Sequence, residues 1–538
     1  MYLFNITNID YAVMIIMFGC FALIAYYFRR KNSTSQKFLL GSSYSGSSLS
    51  ILISQLGIGL PEFILFSSIG AIFGLSAFFI MLGSYFIIHI LINQFMQKDF
   101  WQTIASPAKS NFHQRILSIY YIVFLLLISA TAIVTIVIIF KGLIAWNFGN
   151  STLSLMVLVG VCMIIGGFAG VFYGQIIASI LTTVILFVLV MLAINHVGLS
   201  NVLPNLQSIA TTQKHPINYF TSLTFNLNNI TYILLALFSA VVVILANPWT
   251  MQTQTSKNCK PTIAKQMIKL LIKLFVIALS IAIGVIALAT PMQKIVTIDG
   301  SIITTPTRLE DGTLGYVVKL VKDDGITHKA DEAISSIIPI NTTLATNDGL
   351  HYTMDEEHNA DYDYASSAVT LIKNLVTYAF IPLVLLINLF YRSISETISF
   401  AVVISINNIY SPYYNKSKED LENLWAARVF MFMYFFIIIA IGLVLFKFFN
   451  YDYILGLLVI FAIPLVTNLL FKPNAIGLLL SLIIGILALL TLNIESVPSL
   501  VEMVNYSSWW NFVVIIASGL LIFSMCINLI LNKVCKNK

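Results

Sequence analysis

The sequence predicts an all-α polytopic membrane protein with about 13 transmembrane helices, and three observations predict it. The 538-residue chain is 58% hydrophobic and only 10% charged, with a mean hydropathy of +0.91. Its apolar residues fall into successive runs of about 20, the length a helix needs to cross the hydrocarbon layer. Alternating segments of about ten residues, the mark of a barrel strand, are not seen. Lipid admits only helices or closed barrels, because backbone groups there must bond one another.

The spans, in order, read as 11–29, 46–73, 74–96, 115–144, 152–172, 174–197, 229–248, 267–291, 368–404, 425–446, 451–471, 474–493 and 508–531. No positive charge precedes the first, and Arg29, Arg30 and Lys31 follow it. It therefore reads as a retained span with its N-terminus outside, not as a cleaved leader. The positive-inside rule orients the rest. With the N-terminus outside and the C-terminus cytoplasmic, 19 of the 29 basic residues lie inside, Lys257, Lys260, Lys265, Lys269 and Lys273 among them. Of the 23 carboxylates, 17 then lie outside, and 13 of these sit in one polar segment, Met292 to Tyr364. An even number of spans would put one set of loops on the wrong side.

The net charge of +6 reflects this inner-face bias and gives no reason to invoke nucleic acid. Cys20, Cys162 and Cys526 lie in spans, Cys259 and Cys535 on the cytoplasmic side, so no structural disulfide is expected in the outer segment. Lys outnumbers Arg and Asn and Ile abound, which suggests an AT-rich bacterial genome and a cell (inner) membrane. No Gly-rich phosphate loop and no metal-spaced Cys/His/Asp cluster is present, so neither an ATP-driven step nor enzyme catalysis is expected, and no catalytic residue is assigned.

Polar residues inside spans are then the functional candidates, because burying them is costly unless they are paired or hydrated. The second span places Ser54, Gln55, Gly57, Gly59 and Pro61 within eight residues, followed by Glu62. Proline cannot donate to the carbonyl four residues back, and glycine weakens a helix. The span reads as a broken helix whose freed carbonyls line a cavity, or as a simple kink. Glu62 either binds a proton or a cationic solute, or pairs with a neighbour. The run Gly166 to Ile180 reads as a tight turn between two close-packed spans. Asn247 to Gln266 is a span end followed by a basic loop. The ninth span carries Arg392, Ser393, Ser395 and Glu396. His89 and Gln94 in the third span either line a polar path or are ordinary hydrogen-bonded structure. The segment 292–364 reads as a solvated acidic excursion.

Together these segments resemble the sodium:solute symporter family. The broken second span, with the outer turn Gly70 to Gly74, is the first likeness. Gly166, Gly167 and Val171 stand where the family has its GG-x-x-(A)V pattern; Asn247, Gln252 and Lys257 match its N-x-x-x-x-Q-R…K stretch; and Ser393 with Asn408-Ile409-Tyr410 matches its ninth-span serines and D-I-Y. The resemblance implies a LeuT-type fold, two inverted five-helix repeats with extra terminal helices. By that layout the chain divides into 1–45 (N-terminal span and loop), 46–197 (first repeat), 198–291 (start of the second), 292–364 (outer segment), 365–471 (rest of the second repeat) and 472–538 (C-terminal spans).

The resemblance further implies a secondary active transporter that carries a small organic solute through the membrane lipid by alternating access, with Na+ or H+ as coupling ion and no other cofactor. Its sodium site would combine the region Ser54 to Gly57 with Ser393. A membrane-embedded solute sensor on the same scaffold is the alternative. Three departures bear on coupling. Gln175 replaces the family's T-D-x-x-Q acid, Thr253 its Q-R arginine, and Arg392 one of two adjacent serines. Arg392 either stands in for sodium, balanced by Glu396 or Glu62, or snorkels to the inner interface. The solute and the oligomeric state are not legible.

Overall fold

The computed structural model describes residues 7–29, 53, 56–95, 112–144, 148–212, 216–224, 230–247, 263–289, 379–414, 420–448, 451–470, 475–491 and 509–536, with short strands between 296 and 352 and a few positions between 368 and 376. Its helices are α1 (Asn8–Arg29), α2 (Leu60–Phe73), α3 (Ser76–Phe95), α4 (Phe112–Ile144), α5 (Phe148–Val197), α6 (Leu199–Thr212), α7 (Ile230–Ala246), α8 (Ile263–Ala289), α9 (Phe380–Ser405), α10 (Asp420–Phe448), α11 (Tyr451–Leu470), α12 (Ala475–Thr491) and α13 (Trp509–Lys536).

A 50-residue helix such as α5 would run about 75 Å if straight, more than twice the hydrocarbon thickness. It is two arms joined at Gly167, whose φ of 56° breaks the helical run. Only glycine adopts that backbone without a Cβ penalty. Counted as two arms, α5 brings the apolar helices among the described residues to 13, since α6, interrupted by Pro204, is short and more polar; six of the described helices, α5 among them, are long and apolar enough by themselves to cross a membrane. The turn Gly166–Gly167 thus falls where the small-residue pattern places it. Gly74, at φ 60°, makes the second such reversal, between α2 and α3, with Leu75 bonded to the Phe220 carbonyl at 2.9 Å.

Burial sorts the helices. The apolar window of α9 is 100% buried within the protein, that of α4 89%, but those of α1 and α10 only 28% and 33%. α9 and α4 are therefore the central helices, while α1 and α10 present Ile15, Ile16, Leu23, Phe432 and Phe436 outward, the surface a lipid-facing helix needs. Aromatic stacking holds α1 to the centre. Phe21 lies on Tyr391 of α9 with ring centroids 4.3 Å apart, and Phe28 lies on Tyr173 of α5 at 4.6 Å.

The segment 292–364 carries strands. Its described residues form antiparallel strands in the order β1 (Val296–Ile298), β2 (Ser301–Arg308), β3 (Leu314–Leu320) and β4 (Ser336–Ile337), and a separate pair, β5 (Leu344–Ala345) with β6 (His351–Tyr352). Beyond α9 the chain passes through a π-helical turn, Ile406–Tyr410, where Asn408 donates to Ser118 of α4 at 2.9 Å.

Candidate functional site

The second span is broken. Leu56 lies in a turn, Gly57 to Gly59 are not helical, and α2 begins at Leu60 with Pro61 in its first turn. Proline costs nothing there, since its missing N–H would have had no partner in the first turn. Gly59 is the N-cap, and its N–H donates to Glu62 Oε2 at 3.1 Å. The next amide, Leu60, donates to Ser393 Oγ of α9 at 2.8 Å. Two of the unpaired donors at the head of α2 are thus satisfied by side chains.

The carbonyls released by the break also have partners. Thr183 of α5 donates to the Leu56 carbonyl at 3.2 Å. Lys273 of α8 donates to the Gly57 carbonyl at 2.8 Å, and its ammonium lies 3.7 Å from Glu62 Oε2. Glu62 Oε1 accepts from the Asn247 amide at the end of α7. This corrects one placement. Lys273 is 2% exposed and sits inside the bundle, not on the cytoplasmic side. Ten residues into α8, it lies about 15 Å along that helix.

Arg392 is likewise 2% exposed, which excludes the snorkelling reading. Its guanidinium donates to Ser179 of α5 at 2.8 Å and pairs with Glu396 one turn on at 3.4 Å. It lies so close to Gly57 that any Cβ there would collide with it and with the Ser179 hydroxyl. Beside it, the Gln175 amide donates to Ser395 at 2.9 Å and bridges α5 to α9. Across α9, Thr397 meets Ser129 of α4 at 2.5 Å.

Glu62, Asn247, Arg392, Ser393, Glu396 and Thr397 line one cavity of about 30 Å³ together with Leu65, Val242, Val243, Leu455 and Val459. That is room for about two waters and too little for an organic solute. Of the residues singled out from the sequence, Gly59, Glu62, Asn247, Arg392, Ser393 and Glu396 line this cavity, and Gly57 packs against Arg392 beside it. His89 does not line the cavity; its ring lies nearly parallel to that of Tyr85, 5.9 Å away. Gly166 and Gly167 belong to the α5 turn. Ser54, Gln55 and Gln252, and the side chain of Gln94, lie outside the described residues. Sequence reasoning missed Lys273 and Ser179, for which a basic residue inside a span and a hydroxyl one turn after Gln175 were the available signals.

The family model of the sodium:solute symporters matches residues 35–328, more than half the chain. The chain belongs to the sodium:solute symporter family. It is therefore a multi-pass membrane protein and a secondary transporter of a small solute, not an enzyme. Among solved structures it resembles a Na+-coupled sialic acid symporter in a substrate-bound outward-open state, described as revealing a novel Na+ site. The TM-score is 0.61 at 12% identity, over 97% of this chain and 98% of that one. At that identity the likeness carries the fold, the LeuT-type architecture of symporters. Comparison with curated proteins gave no match. Na+ is the coupling ion that the family and this neighbour suggest.

Proposed function

We propose that the chain is a secondary active carrier of a small organic solute, working by alternating access, in which the sodium position between the second and ninth spans is held by the protein's own Arg392. One observation carries this reading: a fully buried guanidinium packed against Gly57 and next to Ser393, the two residues through which the family's sodium would be bound. Two like charges 4 Å apart repel by about 4 kcal/mol at an effective dielectric of 20. Glu396, at 3.4 Å, supplies the anion that keeps Arg392 in place without an external ion. The loss of the family acid at Gln175 removes negative charge from the same region and acts in the same direction.

In this reading the broken segment Gly57 to Gly59 and the paired groups around the cavity mark the solute pathway. The cavity is too small for an organic solute, so in this reading the solute enters when the two halves of the carrier rock apart. The N-terminus lies outside and the C-terminus in the cytoplasm, in a bacterial cell membrane.

The test is thermal stabilisation of the purified protein by amino acids, vitamins, sugars (sialic acids included) and polyamines, in sodium and in choline buffer. A ligand at 100 times its Kd adds about 2.7 kcal/mol of stability. Equal stabilisation in both buffers is expected. A solute that stabilises only in sodium overturns the reading.

A further inference from the structure

We infer that Lys273 is a tethered counter-cation: its ammonium fills a monovalent-cation position made by the Gly57 carbonyl and the Glu62 carboxylate, distinct from the position held by Arg392. The inference rests on the sodium-independent reading above and names a second residue that enforces it. The position has the chemistry of a cation site. A backbone carbonyl freed by a helix break and a carboxylate oxygen converge on one point, 2.8 Å and 3.7 Å from the ammonium nitrogen. Oxygen donors of these two kinds are what hard cations select.

The occupant comes from across the bundle. Lys273 belongs to α8, Gly57 and Glu62 to the broken second span, and 216 residues separate Lys273 from Gly57. The remaining charged groups acting on Lys273 are Arg392 and Glu396 of α9, which oppose each other. Glu62 is therefore its specific counter-charge. Asn247 contributes a neutral amide from α7, on the opposite carboxylate oxygen.

The consequence is chemical. A diffusible ion at such a position leaves when the carrier opens, and its gradient then drives the cycle. An ammonium on a side chain cannot leave. The contact between α8 and the second span is broken and remade by the same atoms in each cycle, so no ion gradient is spent there. Lys273 acts as a specificity-determining residue, excluding external cations by occupying their place.

Lys273→Ala removes three methylenes and the ammonium, the atoms of n-propylammonium. The full-length variant, purified in detergent, is titrated with n-propylammonium, Na+ and choline while its thermal midpoint is followed. A rise of several degrees that saturates with n-propylammonium or Na+, absent in the wild type and with choline, is expected. The double variant Glu62→Gln/Lys273→Ala, which leaves no unpaired charge, is expected to fold and to show no response. Folding of Lys273→Ala only in the presence of one of these cations counts equally in favour. A folded Lys273→Ala that responds to neither cation overturns the inference, as does a variant that none of them rescues while the double variant folds. A sodium response in the wild type would instead sink the reading of Arg392, so the two failures are distinguishable.

Discussion

Ser179 and Arg392, 213 residues apart, meet through a 2.8 Å hydrogen bond that ties the second arm of α5 to α9 at the level of the helix break. Neither residue is exposed, and the guanidinium has one acidic partner, Glu396, on its own helix. The stability of this junction and its answer to ions follow from that arrangement.

Arg392→Ala takes from the buried Glu396 the guanidinium that neutralises it at 3.4 Å. Removing one member of a buried pair costs about 3–5 kcal/mol, whereas replacing both by neutral groups of similar volume is near neutral. Arg392→Ala is expected to lower the thermal midpoint sharply, and Arg392→Met/Glu396→Gln to recover most of the loss. Equal midpoints for the single and double variants would show that the ion pair carries no weight.

Arg392→Ser restores the adjacent serines of the family pattern and removes the repulsive charge beside Gly57. This variant is expected to gain a sodium-dependent rise in thermal midpoint that the wild type lacks. Titration with NaCl against choline chloride reads the outcome, and an unresponsive folded variant would mean that Arg392 is not what excludes the ion.

At Gly284 of α8, an added Cβ would run into the Ser67 backbone carbonyl of α2, which no rotamer change can move aside. Overpacking of this kind costs about 1–3 kcal/mol. Gly83 of α3 has nothing within 4 Å of its Cβ position, and there alanine is favoured by up to about 1 kcal/mol through helix propensity. Gly284→Ala should therefore lower the midpoint and Gly83→Ala raise it or leave it unchanged.

Asn247→Leu removes the amide that donates to Glu62 Oε1 while roughly keeping the volume. A buried acceptor left without its donor costs about 1–3 kcal/mol. In the background Glu62→Gln/Lys273→Ala the same change should cost less, and a double-mutant cycle over the two sites measures the difference.

Much of this architecture is legible in the sequence, because each membrane helix must be written as its own apolar run. The α5 turn is announced by Gly166–Gly167, and the broken span by two glycines and Pro61 within five residues. Glu396 follows Arg392 by four positions, so that pair was readable from helix geometry. Lys273 was not. It follows Lys265 and Lys269 in a basic stretch that reads as a water-side flank, and a lysine near a span end normally snorkels outward. What holds it inside is Glu62, a partner more than 200 residues away that periodicity within α8 cannot reveal. The strands between 296 and 352 were missed for a related reason. The 13 carboxylates of 292–364 mark it as a solvated segment, although β2, with the run Ser301–Arg308, is rich in β-branched residues.

The four charges buried at the helix break, Glu62, Lys273, Arg392 and Glu396, sum to zero. A transmembrane potential of 100 mV acts on one elementary charge with about 2.3 kcal/mol, and on a neutral set with nothing. In the cycle proposed above, if these four groups move together, the return of the unloaded carrier moves no net charge. In that cycle any current that accompanies turnover belongs to the cargo, and its sign in a voltage-clamped membrane reads the charge of the solute carried.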